Sequence, residues 1–123
     1  MSSDILLRAQ FLIEAASSIR RPYDGAPLVV SVDEGLKLLT EFANLSLVVI
    51  GGDVWRYSDE RFDVVLDWYC EQISGESSGE FASRSIDVAT AKLSGPSVRW
   101  GADKIFVDFV VKDGVTGEKL ARL

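Results

Sequence analysis

Residues 45–72 read LSLVVIGGDVWRYSDERFDVVLDWYCEQ, and the fold turns on how this stretch is arranged. Its first six residues are too few and too β-branched for a helix, and they are apolar on both faces, which predicts a central strand. Gly51-Gly52 comes next. With no GxGxxG or GxxxxGK[ST] around it, the pair marks a bulge or a close backbone approach rather than a phosphate cradle. If the strand continues, alternation places Asp53, Trp55 and Tyr57 on one face, and Val54 and Arg56 on the other. Ser58-Asp59-Glu60 reads as a hairpin turn. On the return strand Phe62, Val64, Leu66 and Trp68 form an apolar face, while Asp63, Asp67 and Tyr69 point the other way with Val65. Half of this hairpin is core, and the displayed half mixes aromatic rings with carboxylates.

The flanking segments supply a helical layer. Over residues 4–19 the apolar residues Ile5, Ala9, Leu12, Ala16 and Ile19, flanked by Leu6 and Ile13, follow the spacing of an amphipathic helix, which Ser2 or Ser3 can cap. Arg20-Arg21 complements its dipole, and Pro22 stops it. After a loop over residues 22–27 and the short apolar run Leu28-Val29-Val30, the sequence SVDE offers a capping box, with Ser31 as N-cap and Glu34 three residues on. A second helix then runs to about residue 43, burying Val32, Leu36, Leu39 and Phe42. The loop SGESSGE holds another box, Ser77 with Glu80. It opens a third helix over residues 78–93, with Phe81, Ala82, Ile86, Ala89 and Leu93 inward and Gly95-Pro96 as its stop. A last strand, residues 104–112, alternates Ile105, Val107, Phe109 and Val111 against Phe106, Asp108 and Val110, and Asp113-Gly114 turns it into a polar tail. These elements predict an α+β fold: a single two-layer domain over residues 1–123, three helices packed on a small, mainly antiparallel sheet.

Composition removes several classes of function. A chain of 123 residues, 47% hydrophobic, fits one domain that buries roughly 65% of its unfolded surface. Arg8, Gln10 and Glu14 interrupt the N-terminal apolar residues before a signal core or membrane span can form, which predicts a cytoplasmic protein with no membrane partner. One cysteine, Cys70, excludes an internal disulfide and a cysteine-built zinc site, and it reads as a small buried thiol. The absence of histidine removes the usual general base, the Ser-His and Cys-His pairs and the commonest metal ligand. No catalytic residue, metal ligand or cofactor is therefore assigned, and the chain is expected not to be an enzyme. The catalytic alternative is a small hydrolase drawing its acid and base from Asp53, Asp63, Asp67 and Glu71.

The net charge of −6 argues against nucleic acid as partner, because phosphate binding needs a basic footprint. Its location says more. Residues 53–80 carry eight acids against two bases, and the remainder is balanced at eleven of each. A solvated face would account for such a run; so would a surface for a basic protein. On the second reading the partner-binding candidates are Asp53, Trp55, Tyr57, Asp59, Glu60, Asp63, Asp67, Tyr69 and Glu71, the aromatics as contact anchors and the carboxylates as steering charges.

The order of these pieces resembles a known family. An apolar strand ending in GGDVWRY, a turn, F-D-x-x-x-D-WYC, an SGES-type loop into a helix F-A-x-R-S-I-x-x-A, and a closing apolar strand are similar to the immunity protein 40 family of bacterial polymorphic toxin systems. The likeness covers residues 47–111. It implies a cytoplasmic antidote against contact-dependent growth inhibition, which binds the C-terminal domain of a cognate toxin. Nuclease toxins are basic, so an acidic, aromatic surface would oppose one. An acidic adaptor or assembly subunit with another basic partner fits the composition equally.

Overall fold

The computed structural model describes residues 4–120. Its centre is strand β2, Leu47–Ser58, whose first six residues are all buried. The other elements are helix α1 (Asp4–Glu14), strand β1 (Val30–Ser31), helix α2 (Val32–Asn44), strand β3 (Arg61–Tyr69), helix α3 (Ser78–Trp100), a 3-10 turn (Ala102–Lys104) and strand β4 (Ile105–Asp113). The sheet order is β1-β4-β2-β3 with every pairing antiparallel. The expected α+β architecture is what forms. Leu6, Ala9 and Ile13 of α1, Leu39 and Phe42 of α2, and Ala89 and Leu93 of α3 share one core with Val49, Val54, Trp68, Val107 and Val111 of the sheet. The three helices share that core, and two smaller clusters, Val48, Ile50 and Cys70 with Phe81 and Ala82 of α3, and Val29 with Trp55 and Phe106, bury other parts of the sheet.

Gly52 lets the centre close. A Cβ there would lie 2.1 Å from the Asp108 carbonyl oxygen and 2.7 Å from the Trp68 ring, so the missing side chain is what admits the indole between strand and helices. The diglycine also adjoins a bulge: Val49 pairs with Val111 and Gly51 with Val110, leaving Ile50 as the extra residue.

A second bulge revises the reading of the return strand. Val54 opposes Leu66, but Trp55 opposes Val64, so Val65 is inserted between them. Each insertion reverses the alternation. Leu66 and Trp68 face the helices, whereas Phe62 and Val64 lie on the opposite face with Tyr57 and Trp55. Asp63, opposite Arg56, is on the helix side, away from Asp67 and Tyr69.

Tertiary contacts overrule local signals at the ends of two helices and in one capping box. Helix α1 ends at Glu14 rather than residue 19, because the Ser17 and Ser18 amides donate to the Glu34 carboxylate at 3.1 and 2.5 Å. The capping candidates Ser2 and Ser3 lie outside the described residues. That use of Glu34 leaves its box half made: Ser31 Oγ accepts from the Glu34 amide, while the Ser31 amide donates to Ser18 Oγ at 2.8 Å. In α2 the buried stripe is Val32, Gly35, Leu38, Leu39 and Phe42, with Leu36 at its exposed margin. Helix α3 has the complete Ser77–Glu80 box but runs through Gly95-Pro96 to Trp100. Proline supplies no amide. Its burial, the Ser97 hydroxyl donating to the Leu93 carbonyl at 2.8 Å, and the packing of Trp100 on the core carry the helix past it.

The tail after Asp113 also has structure. Asp113 Oδ1 accepts from the Val115 and Thr116 amides, and the Leu120 amide donates to the Val111 carbonyl, folding the segment back along β4.

Candidate partner-binding face

Strand β2 is regular between its bulges, so Asp53, Trp55 and Tyr57 do share the face away from the helices. The register sets their neighbours. Asp53 lies between Asp67 of β3 and Asp108 of β4, Trp55 between Val64 and Phe106, and Tyr57 beside Phe62. A row of three aspartates therefore crosses three strands, and an aromatic row runs parallel to it. Among the described residues no three His, Cys, Asp or Glu side chains converge as metal ligands.

The aromatic row is already covered. Trp55 is only 4% exposed, with its indole N–H donating to Asp108 Oδ2 at 2.8 Å and Tyr23 edge-on at 6.1 Å. The Arg20 guanidinium sits 4.5 Å from the Tyr57 ring centroid and 4.8 Å from that of Phe62. Arg20 therefore does not end a helix; it holds the loop after α1 onto the sheet by cation–π contact, worth about 0.5–1 kcal/mol at a site this exposed. The Arg20 and Val29 backbones bond reciprocally and fix that seat.

The aspartate row opens to solvent at its β3 end, while Asp108 is buried. Tyr69 is 68% exposed, Asp67 is exposed and Asp53 half-buried. With Val110, Lys119 and the Gly51-Gly52 backbone they line a shallow depression of about 250 Å³. Asp59 and Glu60 form the exposed tip of the hairpin, with φ of +54° and +61°. Positive φ at both central residues is the geometry of a type I′ turn, usually occupied by Asn-Gly. Glu71 is exposed just beyond β3. Asp63 stands apart, ion-paired to Arg61 at 3.1 Å.

Two acids of the run serve the scaffold. Glu76 binds Arg84 at 2.7 Å, and these hydrogen bonds, followed by that from the Ile73 amide, lower its carboxyl from the ordinary 4.5 to about 2. The Glu76 partnership raises the Arg84 guanidinium in turn. The same guanidinium donates to Cys70 Sγ at 3.4 Å and to the Glu71 carbonyl, tying the end of β3 to α3. Glu80 is held below the usual carboxylate range by the Ser77 amide and hydroxyl.

Alternation places Asp53, Trp55 and Tyr57 on one face, and Asp67 and Tyr69 on another, and the register joins the two sets; the sequence did not place Arg20, Tyr23, Phe62, Phe106 and Asp108 beside them. Phe106 and Asp108 had a readable signal. They alternate on the outer side of β4, and an antiparallel register brings that side against Trp55 and Asp53.

The sheet displays a carboxylate-and-tyrosine strip beside its hairpin edge, and the class of protein comes from a family match: an immunity protein, which implies a toxin protein as partner. The family model Immunity protein 40 matches residues 28–111, and the chain belongs to that family. The match begins ahead of α2, so it takes in the second helix as well as the hairpin, α3 and β4. No curated protein and no solved structure matches the chain. Among the described residues, no helix is long and apolar enough to cross a membrane.

Proposed function

We propose that this immunity protein is an antitoxin acting in the cytoplasm, and that it neutralises the basic C-terminal domain of a cognate polymorphic toxin, such as a nuclease, by binding it. Family membership over residues 28–111 carries the assignment of a toxin partner. The concentration of the formal negative excess within residues 53–80 supports a basic partner. The contact surface on this reading is the open strip of Asp53, Asp67 and Tyr69, with Asp59, Glu60 and Glu71 at its ends as steering charges. Trp55 and Tyr57 flank it on the same face, covered by Tyr23 and Arg20, and Asp63 contributes least because it lies on the helix side of the sheet. The chain does this without turnover of its own.

Co-expression tests the proposal. Cells making this protein should survive induction of the toxic domain encoded beside its gene and still die from an unrelated toxin. Death in both cases would reject the antitoxin reading.

A further inference from the structure

We propose that the toxin domain is held by strand addition, with an extended, basic segment of it pairing with the outer edge of β3 at Asp67 and Tyr69. Resting on the antitoxin reading, this specifies how the partner is gripped. Strand β3 is terminal in the sheet order, so among the described residues no strand pairs with its outer edge. One hydrogen bond fixes which backbone groups face outward. The Cys70 amide donates to the Ile50 carbonyl at 2.9 Å, so the backbone at that position turns inward to β2. Orientation alternates along an antiparallel pair. The groups of Trp68 and Leu66, opposite Gly52 and Val54, therefore also turn inward, and those of Asp67 and Tyr69 turn outward. Two N–H and two C=O groups stand on the edge, on the same residues whose side chains are exposed on the open face. Edge and face form one surface.

Beyond the end of β3 the neighbouring edge of β2 is closed by the protein itself. Where β3 has ended, the Val49 amide donates to the buried Ser85 hydroxyl at 3.0 Å, so α3 takes the place of a strand. Exposed edges are commonly protected by charged side chains, proline or a bulge; β3 has no lysine or proline, and its own protection is Arg61, Asp63 and a bulge that lie ahead of residues 66–69. Its bulge at Val65 limits the regular pairing stretch to residues 66–69.

Charge complementarity selects the occupant. Asp59 and Glu60 stand at one end of β3 and Glu71 at the other. Asp53 and Asp67 are directly opposed in a non-hydrogen-bonded pair, where side chains approach most closely. A lysine or arginine beside Asp67 on an added strand would meet its exposed carboxylate.

Residue-resolved amide exchange is the test, on the free protein and on its complex with an inactivated form of the toxic domain encoded beside the gene. The Asp67 and Tyr69 amides should exchange readily in the free protein and slow at least about tenfold in the complex. Asp67→Pro, which removes an outward N–H, should weaken binding by about tenfold, equivalent to one hydrogen-bond-sized increment, and Asp67→Asn by less. A complex in which both amides stay unprotected would overturn strand addition and leave the antitoxin reading standing. No complex at all would remove the antitoxin reading too. Protection that grows with concentration in the free protein would give the edge to a second copy of this chain and likewise overturn the proposal. Should Asp67→Pro fail to fold, the exchange measurement decides alone.

Discussion

The indole N–H of Trp55 donates to Asp108 Oδ2 at 2.8 Å between neighbouring strands, and both residues are buried. Hydrogen bonds to charged groups contribute about 1.5–3 kcal/mol. Trp55→Phe should therefore lower unfolding free energy by roughly that amount, measured by urea denaturation, while toxin binding by the folded variant stays near wild type. Tyr69→Ala should do the reverse: stability within about 0.5 kcal/mol of wild type, and a dissociation rate raised at least about tenfold if the ring is a contact anchor. A Trp55→Phe protein that folds normally but no longer binds would return Trp55 to the contact surface.

Glycine substitutions should separate sharply by position. Gly52→Ala sets a Cβ against the Asp108 carbonyl, which cannot retreat without opening the β2–β4 ladder, and against the Trp68 ring. A loss of about 3 kcal/mol, at the upper end of overpacking costs, is expected in urea denaturation. Gly79, in the first turn of α3, has open space around it. Gly79→Ala should stabilise by up to about 1 kcal/mol through helix propensity.

Glu76 sets an acid limb to stability. Its folded carboxyl titrates at about 2 against 4.5 ordinarily, so the unfolded chain binds the proton first as pH falls. The contribution is complete above about pH 4.5 and declines as pH approaches 2. Glu76→Gln should flatten the stability profile through that window and leave its neutral and alkaline shape unchanged. An unaltered slope would show that the Arg84 pair does not persist in solution.

Steering by the hairpin tip predicts a rate effect. Exposed charges are screened beyond about 8 Å at 0.15 M salt, so association with the toxin should slow as salt rises. Reversing Asp59, Glu60 and Asp67 to Lys should lower the association rate several-fold in stopped-flow measurements. Reversing Asp63 alone should have little effect, because it faces the helices and is paired to Arg61. If neither change moves the rate, the acidic strip is only a solvated surface.

Much of the candidate face was legible because β2 is regular where it matters. Asp53, Trp55 and Tyr57 share a face by alternation alone. The return strand could not be read in this way, since nothing in FDVVLDWY announces the extra residue at Val65. One inserted residue exchanges the faces of Phe62, Asp63 and Val64 relative to Asp67 and Tyr69. Trp55 reads as a contact anchor in the sequence, and the loop carrying Arg20 and Tyr23, with the bond to Asp108, makes it a packing residue.

What the sequence by itself determined are features whose partners lie within a turn or two: the periods of the three helices, the Ser77–Glu80 box, the alternation of β2 and β4, and the location of the acids. Their energetics are local, so residue types a few positions apart are sufficient. The tertiary structure alone decided features whose partners are remote. Glu34 reaches 16 residues back to end α1, Ser85 closes a strand edge 36 residues away, and Asp108 meets Trp55 across 53. Those groups become neighbours only after the sheet has paired and α3 has docked. Burial then makes an unpartnered amide, indole or carboxylate costlier than breaking a helix early or carrying it past a proline.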